Sequence, residues 1–350
     1  MKKQDVPIRV LIAEDSPVAR DLLVAILQDA AELQVVGTAR NGLEAVRLAK
    51  RLQPDVIMMD VYMPEMGGLE ATRQIMSETP RPIVMVSANL NQSERNLTFD
   101  SLQAGALSVL AKPTVNDPPE VYQALITQLK LMSEVKVIRR WMGDKSTQRP
   151  STTVEPTVIE RPDRSKIRLV AIAASTGGPG ILAEILRALP GNFSAPILIV
   201  QHITAGFATG LADWLNQQTP LEVRLARQGD RPQAGLVLIA PDNYHMLVNR
   251  VGLITLTQTP PVQNLRPAAD VLFQSVAEVY KDTAIGVILT GMGSDGAAGL
   301  RAMRAAGAYT IAQDQRSCIV FGMPAVAIEL GAATQVLPAN KIAAAMTTLL

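Results

Sequence analysis

Short apolar runs that alternate with segments of helical spacing are the feature that most limits the folds open to this chain. In the first half, the apolar runs occupy residues 8–13, 34–39, 55–59, 82–87 and 106–111. A second series begins at Ile167 and continues to about Ala312. Strands that alternate with helices usually pair in parallel, because the helix carries the chain back across one face of the sheet. The sequence therefore predicts two α/β units, each with a mostly parallel, doubly wound sheet.

The two series are separated by residues 136–165, a segment without sustained hydrophobic periodicity. It contains mainly Lys, Arg, Ser, Thr, Pro and acidic residues. Such a composition buries too little apolar surface to fold alone. The chain of 350 residues is therefore predicted to hold a domain at 1–135, a linker at 136–165 and a second domain at 166–350.

The overall composition argues against several classes of protein. The formal net charge of +1 gives no electrostatic reason to bind nucleic acid or an anionic membrane. No apolar run approaches the roughly 20 residues that a membrane-spanning helix needs, and the first residues lack the apolar region of a signal peptide. Cys318 is the only cysteine, so no disulfide forms within the chain, which fits a reducing compartment. We therefore expect a cytoplasmic protein without membrane insertion.

Four strands of the first series end in residues that suit a phosphate switch. Glu14 and Asp15 close the first strand, and Asp60 closes the third. Carboxylates at neighbouring strand ends repel each other unless a cation neutralises them, and Mg²⁺ prefers such oxygen ligands. Ser87 ends the fourth strand and Lys112 follows the fifth, where a hydroxyl and an ammonium group can contact a phosphoryl group.

Three strands of the second series end beside the components of a nucleophilic hydrolase. Ser175 follows the first strand, His202 follows the second, and Asp295 lies in a glycine-rich loop after a later strand. The carboxyl ends of parallel strands share one edge of a sheet, so these side chains can meet. A serine hydroxyl needs a neighbouring base, and His202 is the better placed of the two histidines. Asp295 is then the residue that orients His202 and stabilises its charged form.

Other residues near these strand ends are candidates for oxyanion or substrate contacts. Ser175 precedes Thr176 and two glycines, and the helix that follows can direct free N–H groups to an oxyanion. Thr176 is also placed to support His202. The backbone N–H of Met292 is a second oxyanion donor. His245 either lines the substrate cleft or occupies a surface loop.

The residues alone leave other functions open. The loop Gly291-Met-Gly-Ser-Asp-Gly296 also fits the G-x-G-x-x-G fingerprint of a dinucleotide-binding oxidoreductase. Asp295 argues against that function, because it would bring a carboxylate towards the pyrophosphate. The order Ser, His, Asp and the absence of G-x-S-x-G around Ser175 argue against a generic α/β-hydrolase. A signalling scaffold without catalysis is the remaining alternative.

Residues 8–132 resemble a response-regulator receiver domain, which has a flavodoxin-like fold with a five-stranded parallel sheet. The loop that begins Asp60-Val-Tyr-Met-Pro carries much of this resemblance. Val109 departs from it, because many receivers have an aromatic switch residue there. The resemblance implies that Asp60 accepts a phosphoryl group and binds Mg²⁺ with two other carboxylates, and that four further residues form the site: Glu14, Asp15, Ser87 and Lys112.

Residues 166–350 resemble the catalytic domain of CheB-type chemotaxis protein-glutamate methylesterases. The stretches Ser175-Thr-Gly-Gly178, Gln201-His-Ile203 and Leu289-Thr-Gly-Met-Gly-Ser-Asp-Gly296 carry the resemblance. It implies hydrolysis of glutamate methyl esters on methyl-accepting chemoreceptors by Ser175 with His202 as base, and some relatives also deamidate receptor glutamines. It also implies Arg266 as a substrate-cleft residue and no cofactor for ester hydrolysis.

The order of the two resembling segments implies how the hydrolase is regulated. A chemotaxis histidine kinase would be the phosphodonor, and Mg²⁺ would serve receiver phosphorylation. The unphosphorylated receiver would cover the catalytic cleft, and phosphorylation of Asp60 would relieve the block.

Overall fold

The computed structural model describes residues 6–87, 99–102, 104–135, 137 and 167–350. Nearly all of the predicted linker lies outside these ranges. The described residues form a five-stranded sheet in the first half of the chain. In the second half they form a seven-stranded sheet and a two-stranded hairpin.

The first sheet is parallel and has the strand order β2-β1-β3-β4-β5. This is the order of flavodoxin-like folds, in which ligands bind outside the carboxyl ends of the strands. In chain order the elements are β1 (Ile8–Ala13), α1 (Pro17–Gln28), β2 (Leu33–Ala39), α2 (Gly42–Leu52), β3 (Val56–Asp60), α3 (Gly68–Glu78), β4 (Ile83–Ser87), β5 (Ser108–Ala111) and α4 (Pro119–Ser133).

Local sequence signals account for two helix starts in this unit. The Ser16 hydroxyl caps α1 by accepting a hydrogen bond from the Ala19 N–H, and Pro17 occupies the first helical position. The Asn41 side chain caps α2 by accepting from the Glu44 N–H at 2.8 Å. Strands β3 and β4 are buried throughout. The polar residues of these two strands lie at the strand ends, where a ligand can contact them.

The second sheet is also parallel, with the order β14-β13-β12-β6-β7-β9-β8. Its first strand in the sequence, β6, has β12 on one side and β7 on the other, so a crevice opens at the carboxyl ends of these three strands. In chain order the elements are β6 (Leu169–Ala174), α5 (Gly178–Ala188), β7 (Ile197–Gln201), α6 (Ala208–Gln218), β8 (Glu222–Leu225), β9 (Leu236–Ile239), β10 (His245–Val248), β11 (Ile254–Thr257), α7 (Ala269–Tyr280), β12 (Ala284–Ile288), α8 (Ala297–Ala305), β13 (Tyr309–Gln313), α9 (Met323–Glu329), β14 (Gln335–Leu337) and α10 (Ala339–Leu349).

The sequence-based expectations recover most of these elements and omit three at the carboxyl end. The paired strands expected around residues 245–257 form the antiparallel β10–β11 hairpin. Helix α9, strand β14 and helix α10 are the additions, and α10 is rich in alanine, which weakens its hydrophobic pattern. Among the described helices, none has the length and apolar character needed to cross a membrane.

Candidate active site and phosphoacceptor site

Ser175 and His202 lie side by side at the carboxyl edge of the second sheet. Ser175 directly follows β6, and His202 directly follows the neighbouring strand β7. Backbone hydrogen bonds continue the pairing past the strand ends, from the Ser175 N–H to Thr290 O (3.0 Å) and from the His202 N–H to Ala174 O (2.9 Å). The parallel pairing therefore brings the two predicted catalytic residues to one place.

Asp295 is almost fully buried beside the His202 ring, with 2.8 Å between His202 Nε2 and Asp295 Oδ2. The Asp295 oxygens also accept hydrogen bonds from the backbone N–H groups of Ala269 (2.6 Å) and Asp270 (3.0 Å), which begin α7. Burial raises the pKa of Asp295, but the His202 contact and these N–H groups outweigh burial and lower the pKa below its usual value. The ionised carboxylate can therefore stabilise a proton on His202.

The ring orientation decides which His202 nitrogen is available for chemistry. An ionised carboxylate next to Nε2 favours a hydrogen atom on that nitrogen. Within the described structure the short contact of Nε2 with Asp295 lacks good hydrogen-bond geometry, so the contact is bent. Nδ1 then keeps its lone pair and can accept the Ser175 proton.

Ser175 and His202 open onto a cleft of about 500 Å³. Thr176 and Met292 line the same cleft. Among the described residues, no protein acceptor faces the backbone N–H of either residue. Free N–H groups in a partly enclosed cleft can stabilise an oxyanion. The assignment of Thr176 and Met292 as oxyanion donors stays a prediction with this geometric support.

The absence of a side chain at Gly291 allows the Ser175 loop and the Asp295 loop to approach each other. A Cβ atom at Gly291 would lie 2.6 Å from the Ser175 Cβ, far inside van der Waals contact. Gly177, in the Ser175 loop, has φ of +78°, a left-handed conformation that a side chain disfavours. The position of Ser175 therefore depends on glycine at two places.

The acidic residues predicted from the first series also come together. Glu14, Asp15 and Asp60 offer carboxylate oxygens that lie within 4.8 Å of one another. Lys112 Nζ lies 2.8 Å from Glu14 Oε2 and 2.7 Å from Asp60 Oδ2. Burial raises the pKa of both Asp60 and Glu14, and Lys112 offsets only part of this effect. Three carboxylates, of which Asp15 is exposed, form a donor set that fits Mg²⁺, since this ion keeps several waters.

Ser87 is buried at the end of β4, beside the strand that leads to Lys112. Its carbonyl oxygen accepts a hydrogen bond from the Lys112 N–H at 2.8 Å. The structure therefore brings together the strand ends that carry Asp60, Ser87 and Lys112, as the sequence predicts. Their roles in phosphorylation stay predictions.

The first unit forms one wall of the cleft, through strand β5 and helix α4. Thr204, two residues after His202, donates a hydrogen bond from Oγ1 to Val109 O on β5 (2.9 Å). The Trp214 ring stacks on Phe99, with 5.6 Å between ring centroids, and its Nε1 donates to Asp100 Oδ1 (2.9 Å). Hydrogen bonds and aromatic stacking thus join the first unit to the segments that follow the predicted base.

Family models match both halves of the chain. The response regulator receiver domain matches residues 10–126, and the CheB methylesterase model matches residues 170–346, more than half of the chain. The chain belongs to the CheB methylesterase family. This finding confirms the family that the sequence resembles.

Individual relatives support the same conclusion over almost the full length. The protein-glutamate methylesterase/protein-glutamine glutaminase of Nitrosospira multiformis is 46% identical over 345 residues, which are 98% of this chain and 97% of the relative. A protein of the same name from Syntrophus aciditrophicus, numbered 1, is 46% identical over 348 residues and 98% of both chains. The crystal structure of the Thermotoga maritima CheB methylesterase catalytic domain is 41% identical, with a TM-score of 0.51, and matches 53% of this chain and 99% of that one. The predicted α/β fold of the second half is thereby confirmed.

His245 does not occupy either of the positions that its sequence context predicts in this CheB family member. It begins β10 and is fully buried. Its Nδ1 accepts a hydrogen bond from the Ala268 N–H, and its Nε2 lies 3.2 Å from Pro260 O. Backbone groups therefore occupy both ring nitrogens, and the cleft and surface-loop predictions are both wrong. The turn-like residues before His245 gave no sign that a strand begins at the histidine itself.

Arg266 is not among the residues that line the cleft. Its Nη1 donates hydrogen bonds to Gln258 O (3.1 Å) and Thr259 O (3.2 Å), which closes the loop before α7. Leu265 is the residue of this loop that reaches the cleft wall. The observed hydrogen bonds give Arg266 a role in holding the loop, and its implied role in the cleft stays a prediction.

Sequence reasoning missed buried polar residues that support the site, among them Asp270 and Thr290. The Asp270 N–H bonds Asp295, and Asp270 Oδ1 accepts from the Gly299 N–H at 2.7 Å. Thr290 donates from its hydroxyl to Thr176 O (3.0 Å) and accepts from the Val320 N–H (2.9 Å). Thr290 lies in one of the stretches that carry the family resemblance, but a polar side chain next to a buried strand or helix is too common to identify either residue as part of a site.

Proposed function

We propose that the chain is a phosphorylation-activated protein-glutamate methylesterase that hydrolyses glutamate methyl esters on chemoreceptors to glutamate and methanol. Relatives that match nearly its whole length are named for this activity. The observation that carries the proposal is the cleft itself, which contains Ser175 and His202 and has the receiver unit as one wall. The residues proposed for hydrolysis and the unit proposed to control them therefore line the same cleft.

The ester would be cleaved through an acyl-enzyme. The Ser175 oxygen attacks the γ-carbonyl carbon while His202 Nδ1 takes the hydroxyl proton, and Asp295 stabilises the resulting imidazolium. The N–H groups of Thr176 and Met292 hold the oxyanion. The imidazolium then gives its proton to the leaving methoxide, and methanol departs. Water attacks the acyl-enzyme along the same proton path, which releases glutamate and restores the serine hydroxyl.

The same site would also deamidate glutamine side chains. A glutamine amide and a glutamate methyl ester present the same carbonyl group and form the same acyl-enzyme with Ser175. They differ in the leaving group, which for the amide is ammonia after the imidazolium of His202 has supplied a proton. The names of the curated relatives include both activities.

The receiver unit would control access to the cleft. A chemotaxis histidine kinase would transfer a phosphoryl group to Asp60, while Mg²⁺ held by Glu14, Asp15 and Asp60 would neutralise the added charge. Strand β5 connects the two sites. Lys112 directly follows the end of this strand, and the Val109 carbonyl within the strand accepts the hydrogen bond from Thr204. Movement of β5 would uncover the cleft. We infer a cytoplasmic location, where a kinase and receptor helices are both accessible.

Methanol release from methylated receptor membranes tests the proposed reaction. The wild-type chain should release methanol, and a small-molecule phosphodonor with Mg²⁺ should accelerate release. Ser175→Ala should lower kcat by at least about 10⁴-fold, because loss of the nucleophile leaves only oxyanion and binding contributions. Asp60→Asn should keep the unstimulated rate and lose the acceleration.

Ser133→Ala provides a matched control, since it makes the same chemical change on α4 at a hydroxyl that bonds Lys130 O. No methanol from the wild-type chain, or an undiminished rate from Ser175→Ala, would contradict the proposal. Persistence of the biological signal with Ser175→Ala would instead favour a signalling scaffold.

A further inference from the structure

Gln201 links the backbones of the predicted nucleophile and the predicted base. It is the last residue of β7 and is only 4% exposed. Its side-chain nitrogen donates two hydrogen bonds, to Ser175 O and to His202 O, each of 2.8 Å. Both amide hydrogens are thereby used on carbonyl groups of the site.

The Gln201 side-chain oxygen, in contrast, is buried and makes no hydrogen bond within the described structure. It packs against Gly178 at the start of α5, where an added Cβ would collide with it. A buried acceptor without a partner is unfavourable, and an apolar side chain of the same length would avoid that cost. The favourable contribution of this amide therefore lies in its two donated bonds.

These two bonds lie just beyond the last backbone pairing of β6 with β7. The strand register ends with Ala174 beside Gln201, followed by the hydrogen bond from the His202 N–H to Ala174 O. Past that point, the Gln201 amide is the group that connects the Ser175 carbonyl with the His202 carbonyl. The Gln201 side chain therefore joins the chain segments that follow β6 and β7, just beyond the last backbone pairing.

We infer that Gln201 is a positioning residue, which sets the separation between the Ser175 loop and His202. Proton transfer from serine to histidine needs a short and well-oriented contact, and a displacement of about 1 Å costs on the order of 10²-fold in rate. This inference rests on the proposed function for the identity of the reaction, whereas the contacts of Gln201 are independent of it.

Gln201→Met in the full-length chain is the direct test, because methionine keeps the length of the side chain and removes both amide hydrogens. With a phosphodonor and Mg²⁺ present, kcat for methanol release should fall about 10²-fold while KM stays within about twofold. Covalent labelling of Ser175 by a fluorophosphonate should slow by a similar factor. Gln201→Leu, which also removes both amide hydrogens and adds no buried charge, should show the same split if Gln201→Met folds poorly.

Val200→Ala is the matched control, since it removes buried volume from the same strand without changing a polar contact. It should lower Tm and leave kcat and labelling near wild type. Wild-type kcat and labelling rates in folded Gln201 variants would overturn the inference. If wild type is labelled but releases no methanol, the proposed function fails. The labelling rates alone then decide whether Gln201 is a positioning residue. If wild type neither releases methanol nor is labelled at Ser175, both proposals fail; if it releases methanol without being labelled, kcat alone decides whether Gln201 is a positioning residue.

Discussion

Asp60 in the first sheet and Asp295 in the second occupy comparable positions, yet their pKa values shift in opposite directions. Both are buried near the carboxyl end of a parallel strand, and each lies within 2.8 Å of a basic side chain, Lys112 or His202. The pKa of Asp60 is raised, and the pKa of Asp295 is lowered.

The difference comes from the other groups around each carboxylate. Burial is the largest effect at both sites and raises both pKa values. Asp295 also receives two N–H groups from the start of α7, in addition to the His202 contact. Asp60 receives one backbone N–H group, that of Tyr62, which lowers its pKa, and it has the nearby acid Asp15, which raises its pKa. Backbone N–H groups keep Asp295 ionised, so that it can stabilise a charged His202. Asp60 instead lies in a cluster of carboxylates, which added positive charge would stabilise.

Replacement of the triad acid should have the largest effect on activity. Asp295→Asn is expected to lower kcat by about 10⁴-fold, because a neutral amide neither orients His202 correctly nor stabilises its charged form. Methanol release without a phosphodonor measures this effect. The same replacement at Asp60 should leave the unstimulated kcat unchanged. An equal loss in both variants would break the distinction between the two carboxylates.

Replacing glycine by alanine should affect the two sites independently, with a loss of function smaller than that from replacing the triad acid. Gly291→Ala is expected to lower kcat by about 10²-fold, because its Cβ would displace Ser175. Gly68→Ala should instead reduce phosphorylation, since its Cβ would meet the Asp60 carbonyl group. Phosphoprotein formation and methanol release are the two measurements. Gly67→Ala is the control, because its Cβ would make only an ordinary 3.5 Å contact.

The pH dependence of stability should show the smallest effect, with opposite sign at the two sites. The folded chain holds protons on Asp60 and Glu14 more tightly than the unfolded chain, so their contribution to stability is full at low pH and is lost as pH rises through the raised pKa values. Asp295 contributes fully above its unfolded pKa, and that contribution is lost as pH falls through its lowered pKa.

Calorimetry at neutral pH provides the measurement for this last prediction. Asp60→Asn should raise the free energy of unfolding of the first unit, and Asp295→Asn should lower that of the second, each on the order of 1 kcal/mol. Lys112 keeps its contact with Glu14 in the first variant, so its charge retains a partner. Shifts of the same sign would show that the different surroundings of Asp60 and Asp295 do not control their contributions to stability.

Sequence reasoning reached residues that directly follow apolar strands. Ser175, His202 and Lys112 belong to this group, because strand periodicity is local and the carboxyl ends of parallel strands share an edge. It failed for His245, whose burial depends on Ala268 and Pro260, residues that are distant in the sequence. Hydrogen bonds between residues that are distant in the sequence produce no periodic pattern of apolar residues.

The sequence by itself determined the two α/β units, the chemical groups at their strand ends and the family of the chain. The tertiary structure decided the contacts among those groups. It directed His202 Nε2 to Asp295, brought the N–H groups of α7 to the same carboxylate and placed strand β5 against the cleft. The physical reason is that apolar periodicity follows neighbouring residues, whereas side-chain orientation and the solvation of a buried charge depend on elements that meet only after folding.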